Sequence, residues 1–363
     1  MASAGGLPPI PGAPRRVYLD WLRGVAVMIM ITWHLLDSWT QVPEREHPAF
    51  QALSYAAGTF TALFLFLAGV SVSLSAGSKL RRHGNAPAAA RLVAWRGLQV
   101  LGLAFLLRLQ SIVLSNAPWH SMLRVDILNI MGLAIAATAV TWGAGRSAAA
   151  RYAALGVATL LVVFATPFVR AAGWLDVLPD PIEGYLRPVQ PFSSFVLFPW
   201  AGFVFAGAAA GVAIDAVRER EAESRLNIFF FLAGLALAAG AFGASYLPSP
   251  YANTFFWTTS PAYFFLRFGL ILVVVGVAYA WGRRPGAGRW SPVSQLGTTS
   301  LFIYWIHVEM VYGRMSAPLH KALSFPQALM ALALFALFML ACSVAKTRLA
   351  VGWRSRRARR LAS

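Results

Sequence analysis

The chain has 363 residues, of which 58% are hydrophobic and only 12% are charged, with a mean hydropathy of +0.62. This balance excludes a soluble globular protein and predicts an all-α, polytopic membrane protein. The formal net charge of +18 also occurs in nucleic-acid binders, but the placement of the cations described below argues against that class. The single cysteine, Cys342, excludes an intramolecular disulfide and a cysteine-based metal site.

The predicted elements begin with a Pro- and Gly-rich tail, residues 1–14, which lacks the apolar core of a signal peptide and which we expect to be disordered. A transmembrane domain of about ten helices follows over 15–346, and a basic cytoplasmic tail occupies 347–363. The predicted spans are 17–39, 52–76, 92–115, 123–143, 149–169, 192–216, 225–246, 261–281, 293–314 and 326–346.

The connecting segments alternate strongly in charge. One alternate set, which includes both termini, holds 22 Lys and Arg residues, and the opposite set holds six. Because cytoplasmic loops carry the excess of cations, both termini are expected in the cytoplasm. The high net charge then reflects topology and attraction to an anionic bilayer, so we expect no nucleic-acid partner.

The first predicted span carries four ionisable side chains, each of which costs about 2.5–3.5 kcal/mol at the centre of a membrane helix. They lie within about 100° of one another around the helix and form one stripe: Asp20, Arg23, His34 and Asp37. The first pair faces the cytoplasmic side, about 16 Å along the axis from the second. A structural ion pair explains Asp20 and Arg23 equally well, and a packed histidine bonded to a neighbouring span is the alternative for His34.

Ionisable groups on four further spans fall in the same outer layer as His34. Because such groups normally face a bundle interior or a cavity, we expect them to line one outward-facing polar cavity. Two members, His307 and Glu309, are about 200° apart on a helix, and we favour His307 because Tyr304 shares its face. The predicted cavity residues are Arg108, Arg124, Asp126, Arg267, Tyr304, His307 and Glu309.

Several sequence blocks resemble the transmembrane acyltransferase superfamily. The segment LDWLRGVAVMIMITWH (19–34) has the pattern D-x-x-R-G with ten residues between Arg and a following His, and FLFLAGVSVSLS, DILNIMGLAI, FPWAGFVFAGAAAG and SLFIYWIH resemble later blocks. The chain is most similar to bacterial relatives of the heparan-α-glucosaminide N-acetyltransferase catalytic domain, and more distantly to acyltransferase-3 proteins. The resemblance extends from about residue 15 to residue 345.

The resemblance implies a membrane acyltransferase that moves an acyl group, expected to be acetyl, from cytoplasmic acyl-CoA to a hydroxyl or amine of an extracytoplasmic glycan or sugar. Acetyl-CoA is then a cosubstrate, with no permanently bound cofactor and no metal. The expected location is a cell membrane, the inner membrane if the source is a bacterium.

Two histidines compete for the role of catalytic base. In the lysosomal member of the family the catalytic histidine lies in the loop after the first span, where this chain has His47, whereas His34 lies in the helix. We favour His34, with Asp37 one turn away to orient its imidazole. An arginine of the cavity is expected to stabilise the oxyanion, and the CoA head group is expected near Asp20, Arg23, Arg82 and Arg96.

Two other classes of function use the same residues. In a proton-coupled secondary transporter of a polar solute, the cavity binds the solute, and His34 and Asp37 relay protons. Such transporters commonly contain repeats, and none is visible here. In a membrane scaffold without catalysis, the cavity residues are replaceable.

Overall fold

The computed structural model describes residues 16–252, 254–286 and 288–362, so the tail predicted to be disordered, 1–14, lies outside the described residues. Regular structure in this part of the chain is helical, with two isolated β-bridges. The α-helices are α1 (Val17–Trp39), α2 (Pro48–His83), α3 (Ala86–Ser115), α4 (Ile127–Ala144), α5 (Ala148–Ala171), α6 (Asp180–Glu183), α7 (Leu197–Ala216), α8 (Arg220–Ala244), α9 (Pro261–Gly282), α10 (Pro292–Thr298), α11 (Ser300–Tyr312) and α12 (Phe325–Ala362).

The all-α membrane architecture is confirmed. Among the described residues, nine helices are long and apolar enough to cross a bilayer: α1 to α5, α7 to α9 and α12. The last of these continues without a break into the predicted tail 347–363, which is therefore helical as far as residue 362.

The predicted span 293–314 is wrong as a single helix, because it is divided into α10 and α11 at Thr299. The backbone there has φ −115° and ψ 17°, outside the helical range. Thr298 Oγ1 donates to the carbonyl of Gln295 at 2.8 Å, and Thr299 Oγ1 lies 2.6 Å from Ser343 Oγ of α12. Side-chain hydroxyls of this kind compete with the backbone hydrogen bonds of a helix. The buried hydroxyl of Ser343 gives that of Thr299 a hydrogen-bond partner, as an apolar environment requires.

The chain divides into two compact units, unit 1 (residues 1–61 and 278–363) and unit 2 (residues 62–277). In unit 1, α1 packs against α10, α11 and α12. The contact with α10 is a close backbone approach, because a Cβ on Gly24 would overlap the carbonyl of Val293 and a Cβ on Gly297 would overlap the carbonyl of Asp20. Small residues of this kind allow membrane helices to pack backbone to backbone.

The C-terminal end of α1 is joined to the C-terminal end of α11 by hydrogen bonds. The carbonyl of Val311 accepts from Trp39 Nε1 at 3.0 Å and from Ser38 Oγ at 3.1 Å, and both donors are buried. Just beyond α1, Thr40 forms an isolated parallel bridge with Leu323. The register between α1 and α11 is therefore set close to the level of His34.

In unit 2, α4 and α7 are the most buried helices, and they pack against α3 and α5. The helices α2 and α7 approach closely, since a Cβ on Gly69 would overlap the carbonyl of Val204 and a Cβ on Gly207 would overlap that of Phe66. At one end of this contact, Arg81 forms an ion pair of 2.6 Å with Asp215.

Candidate active site

The polar stripe of α1 begins with the pair Asp20 and Arg23, on a helix that packs against α10, α11 and α12. Arg23 Nη1 is 2.9 Å from Asp20 Oδ1, an ion pair within one turn, and both side chains are mostly buried. The rise of the helix places Arg23 about 16 Å from His34. Asp20 and Arg23 therefore form the ion pair at the start of the helix that was the structural alternative for these two residues.

His34 contacts His307 of α11 directly. The Nδ1 atom of His34 is 2.8 Å from Nε2 of His307, and the two ring planes are within 9° of parallel. His307 is fully buried, and its Nδ1 lies 2.8 Å from the carbonyl of Ile303. Tyr304, also buried, sets its ring edge-on to that of His307. The structure thus brings together His34, His307 and Tyr304 from among the predicted site residues.

Asp37 is not the hydrogen-bond partner of the His34 imidazole, so its expected orienting role is not supported by the contacts. The carboxylate of Asp37 pairs with Arg45 at 3.2 Å, and the backbone carbonyl of Asp37 accepts from Arg45 and, at 2.9 Å, from Lys321 Nζ. The partners of Asp37 lie in the segments that follow α1 and α11, so its carboxylate meets Arg45 and not the imidazole of His34.

Three neighbours of this cluster were not identified from the sequence: Arg45, Tyr312 and Lys321. The ring of Tyr312 lies edge-on to His34 with centroids 5.6 Å apart. Lys321 is outside the spanning helices, where partial burial lowers the pKa of its ammonium group, Arg45 lowers it further and Asp37 raises it. The two cations were visible in the sequence only as loop charges, and no local pattern joins them to α1.

His47, the alternative base, lies in the turn before α2. Its imidazole is exposed and stacks on the ring of Phe325 with centroids 4.8 Å apart. Its Nδ1 accepts a hydrogen bond from the backbone N–H of Ala49 at 3.2 Å. These contacts place His47 in the turn at the start of α2, whereas His34 lies within the packing of α1.

Glu309 is half-buried on α11, two positions from His307. Because two residues correspond to about 200° of helical rotation, it points away from the face that meets His34.

Three predicted cavity residues gather in unit 2 at the start of α4. Arg108 Nη2 is 2.7 Å from Asp126 Oδ2, and both side chains are largely buried. Asp126 also caps α4 by accepting from the backbone N–H of Leu128 at 3.0 Å. Arg124 Nε donates to Ser194 Oγ at 3.1 Å. A single carboxylate therefore positions an arginine and begins a membrane helix.

The segment between α5 and α7 is held against this start of α4. Val125 and Ser193 form a parallel bridge, and Asn129 Nδ2 donates to the hydroxyl of Tyr185 at 3.2 Å. Burial raises the pKa of the Tyr185 phenol, and nearby Asp126 raises it further, although the hydrogen bond from Asn129 opposes the shift. Arg187 ties the segment together by pairs with Glu183 and Asp176 and by donating to the carbonyl of Ala172 at 2.8 Å.

Arg267 of α9 lies among aromatic rings in unit 2. Its guanidinium is 4.1 Å from the ring centroid of Tyr263 and 5.3 Å from that of Trp200. Within the described part of the chain, its buried Nε has no hydrogen-bond partner. This arrangement combines a cation with two ring faces and leaves one N–H donor available.

The residues predicted to bind the donor head group fall into both units. Arg82 is exposed near the end of α2, and Arg96 is exposed on α3, where it donates to Gln99 Oε1 at 3.0 Å. Asp20 and Arg23 belong to unit 1. Among the residues that the structure describes, no group of three or more His, Cys, Asp or Glu side chains is arranged to hold a metal ion.

Comparison with known proteins gives one family. Residues 15–240 match the sequence model described as heparan-alpha-glucosaminide N-acetyltransferase, catalytic. No curated protein matches the chain. The matched segment includes His34, His47 and the arginines at the start of α4, whereas α9 to α12, with His307, lie beyond it. Because the match covers more than half of the chain, this multi-pass membrane protein belongs to the heparan-α-glucosaminide N-acetyltransferase catalytic family, whose description is that of an acetyltransferase.

Proposed function

We propose that the protein transfers an acetyl group from cytoplasmic acetyl-CoA to a hydroxyl or amine of an extracytoplasmic glycan or sugar, with His34 as general base. The observation that carries the proposal is the environment of His34: an imidazole inside a membrane helix, with one ring nitrogen engaged by His307 and the other without a hydrogen-bond partner in the described part of the chain. An acetyl acceptor must lose a proton as it attacks the thioester, and an imidazole is suited to this near neutral pH.

The donor is proposed to approach His34 along the stripe of α1. Its head group remains near Asp20 and Arg23, and the thioester reaches His34. The separation of about 16 Å between Arg23 and His34 is comparable to the length of an extended pantetheine arm. A membrane-embedded charged pair at one end of a helix and a titratable imidazole at the other suit a substrate with a polar head group and a reactive end.

Within unit 2, the rings of Trp200 and Tyr263 beside Arg267 are a candidate surface for a sugar ring. Sugar rings stack on such aromatic faces, and the guanidinium of Arg267 beside them carries N–H donors for a hydroxyl or carbonyl oxygen. Arg108 and Arg124, also in unit 2, are further candidates for binding polar groups of a sugar.

The test uses the full chain in lipid nanodiscs with radiolabelled acetyl-CoA and three acceptors: glucosamine, N-acetylglucosamine and an envelope glycan fraction. We expect acceptor-dependent release of CoA in the wild type. The His34→Ala variant should lose at least about 100-fold in kcat, the usual contribution of a general base. The His47→Ala variant and the control His83→Gln, at an exposed position, should remain within about threefold of the wild type.

Two results would overturn the proposal. Full activity in His34→Ala together with loss in His47→Ala would transfer the role of base to the loop histidine. Absence of acetyl-CoA binding by calorimetry, with no CoA release for any of the three acceptors, would remove the acetyltransferase assignment for this site.

A further inference from the structure

The hydrogen bonds of His307 determine where its proton lies. Its Nδ1 is 2.8 Å from the backbone carbonyl of Ile303, and a carbonyl oxygen can only accept a hydrogen bond. The Nδ1 atom of His307 must therefore carry a hydrogen. In the neutral ring the other nitrogen, Nε2, then has a lone pair and is an acceptor.

The proton of His34 follows from that of His307. The Nε2 lone pair of His307 faces Nδ1 of His34 at 2.8 Å, so in the neutral pair His34 donates from Nδ1. The ring centroids are 5.1 Å apart and the planes differ by only 9°, so the rings meet edge to edge through these nitrogens, with the N–H directed at the lone pair. The remaining nitrogen of His34, Nε2, is consequently unprotonated and carries a lone pair that can accept a proton.

We propose that His307 is a positioning residue, which holds His34 in the Nδ1–H tautomer so that Nε2 of His34 is the atom that accepts the proton of the acetyl acceptor. The part of this inference that concerns the reaction rests on the proposed function; the tautomer itself does not. The chain of hydrogen bonds runs from the carbonyl of Ile303 through His307 to His34, and the orienting group at its end is a backbone carbonyl.

The surroundings of the pair keep this arrangement in place. His307 is fully buried, and Tyr304 packs edge-on against its ring. The ends of the two helices are joined where Trp39 Nε1 donates to the carbonyl of Val311. The carboxylate of Asp37, the other candidate for the orienting role, is paired with Arg45.

The proposed step balances without a further reactant. The acceptor oxygen or nitrogen forms a bond to the thioester carbonyl carbon, and its proton moves to Nε2 of His34. The resulting imidazolium donates from Nδ1 to His307, whose own Nδ1–H remains bonded to Ile303. When the C–S bond breaks, the Nε2 proton passes to the thiolate of CoA, which leaves as the thiol, and His34 returns to its starting tautomer.

The experiment is ¹⁵N NMR of the full chain with labelled histidine, in nanodiscs, because protonated and unprotonated ring nitrogens differ widely in chemical shift. The chain has six histidines, so single variants assign the signals. We expect Nδ1 of His34 to carry hydrogen and Nε2 to be unprotonated at the pH of the activity assay. An unprotonated Nδ1 on neutral His34 would overturn the inference.

Two substitutions of similar size separate positioning from packing. His307→Gln retains an acceptor, the amide oxygen, and should keep the His34 tautomer and a kcat within about tenfold of the wild type. His307→Leu fills the space without an acceptor and should give mixed tautomers, a kcat at least about 100-fold lower and a KM for acetyl-CoA within about threefold. Equal kcat in both variants, or an unchanged tautomer in His307→Leu, would overturn the inference.

The wild-type spectrum decides the tautomer even if His307→Leu fails to fold. A protein that shows the expected tautomer and transfers no acetyl group would refute the proposed function and would still support the assignment of protons in the pair. The reverse result, acetyl transfer with the opposite tautomer, would refute the positioning role alone.

Discussion

The close contact between α1 and α10 predicts that Gly24 and Gly297 tolerate no side chain. A Cβ on Gly297 would lie 2.7 Å from the backbone nitrogen of Gly24, against the 3.4–4 Å of ordinary contact, and nearer still to the carbonyl of Asp20. The helices must therefore separate by about 0.7 Å or more, judged from the first of these contacts. Backbone atoms cannot rotate away as side chains can, so the helix crossing itself has to move.

The expected loss is at the upper end of the range for overpacking, about 3 kcal/mol for either Gly24→Ala or Gly297→Ala. With an unfolding entropy of about 2.1 cal/mol/K for each of the 363 residues, this loss corresponds to a fall in Tm of about 4 °C. Because the same separation relieves both overlaps, the double variant should lose less than the sum of the two single variants. Since α10 leads directly into α11, the separation should also lengthen the contact between His34 and His307 and lower kcat.

The assay is thermal unfolding of the purified protein, followed by the intrinsic fluorescence of its 13 tryptophans. Gly156→Ala and Gly240→Ala are matched controls, since both glycines are in helices and a Cβ on either meets nothing within 4 Å. Alanine at these two positions should stabilise the protein by up to about 0.5–1 kcal/mol, so Tm should stay the same or rise. An unchanged Tm in Gly24→Ala and Gly297→Ala, or an equal fall in the controls, would refute the reasoning.

Two further predictions concern the C-terminal end of α1. Asp37→Asn should keep kcat within about threefold and lower stability by only about 0–1 kcal/mol. The reason is that the carboxylate of Asp37 pairs with a partly exposed Arg45 and not with His34. A fall in kcat of about 100-fold would restore Asp37 as the orienting group. Trp39→Phe should lower stability by about 1 kcal/mol, because it keeps most of the buried ring and removes the hydrogen bond to Val311. Trp119→Phe, at an exposed position, is its control in thermal unfolding, and equal Tm values for the two variants would count against the bond.

The predicted spans agree with the helices because hydropathy is a local property of a segment. The first predicted span, 17–39, has the same bounds as α1, and the family resemblance seen in its motif is confirmed by the match over 15–240. The span predicted over 293–314 is divided near its start, at Thr299, whose hydroxyl meets that of Ser343 of α12, 44 residues further along the chain. No window of local hydropathy contains that information.

The sequence by itself determined the class of the protein, the position of its membrane helices, the family and the stripe on α1, since each depends on residue type and helical spacing alone. Only the tertiary structure decided the partners of the stripe. His34 meets His307, which is 273 positions away, and Asp37 meets Arg45. Helical spacing gives the direction in which a side chain points, but its hydrogen-bond partner is set by the packing of helices that are distant in the chain.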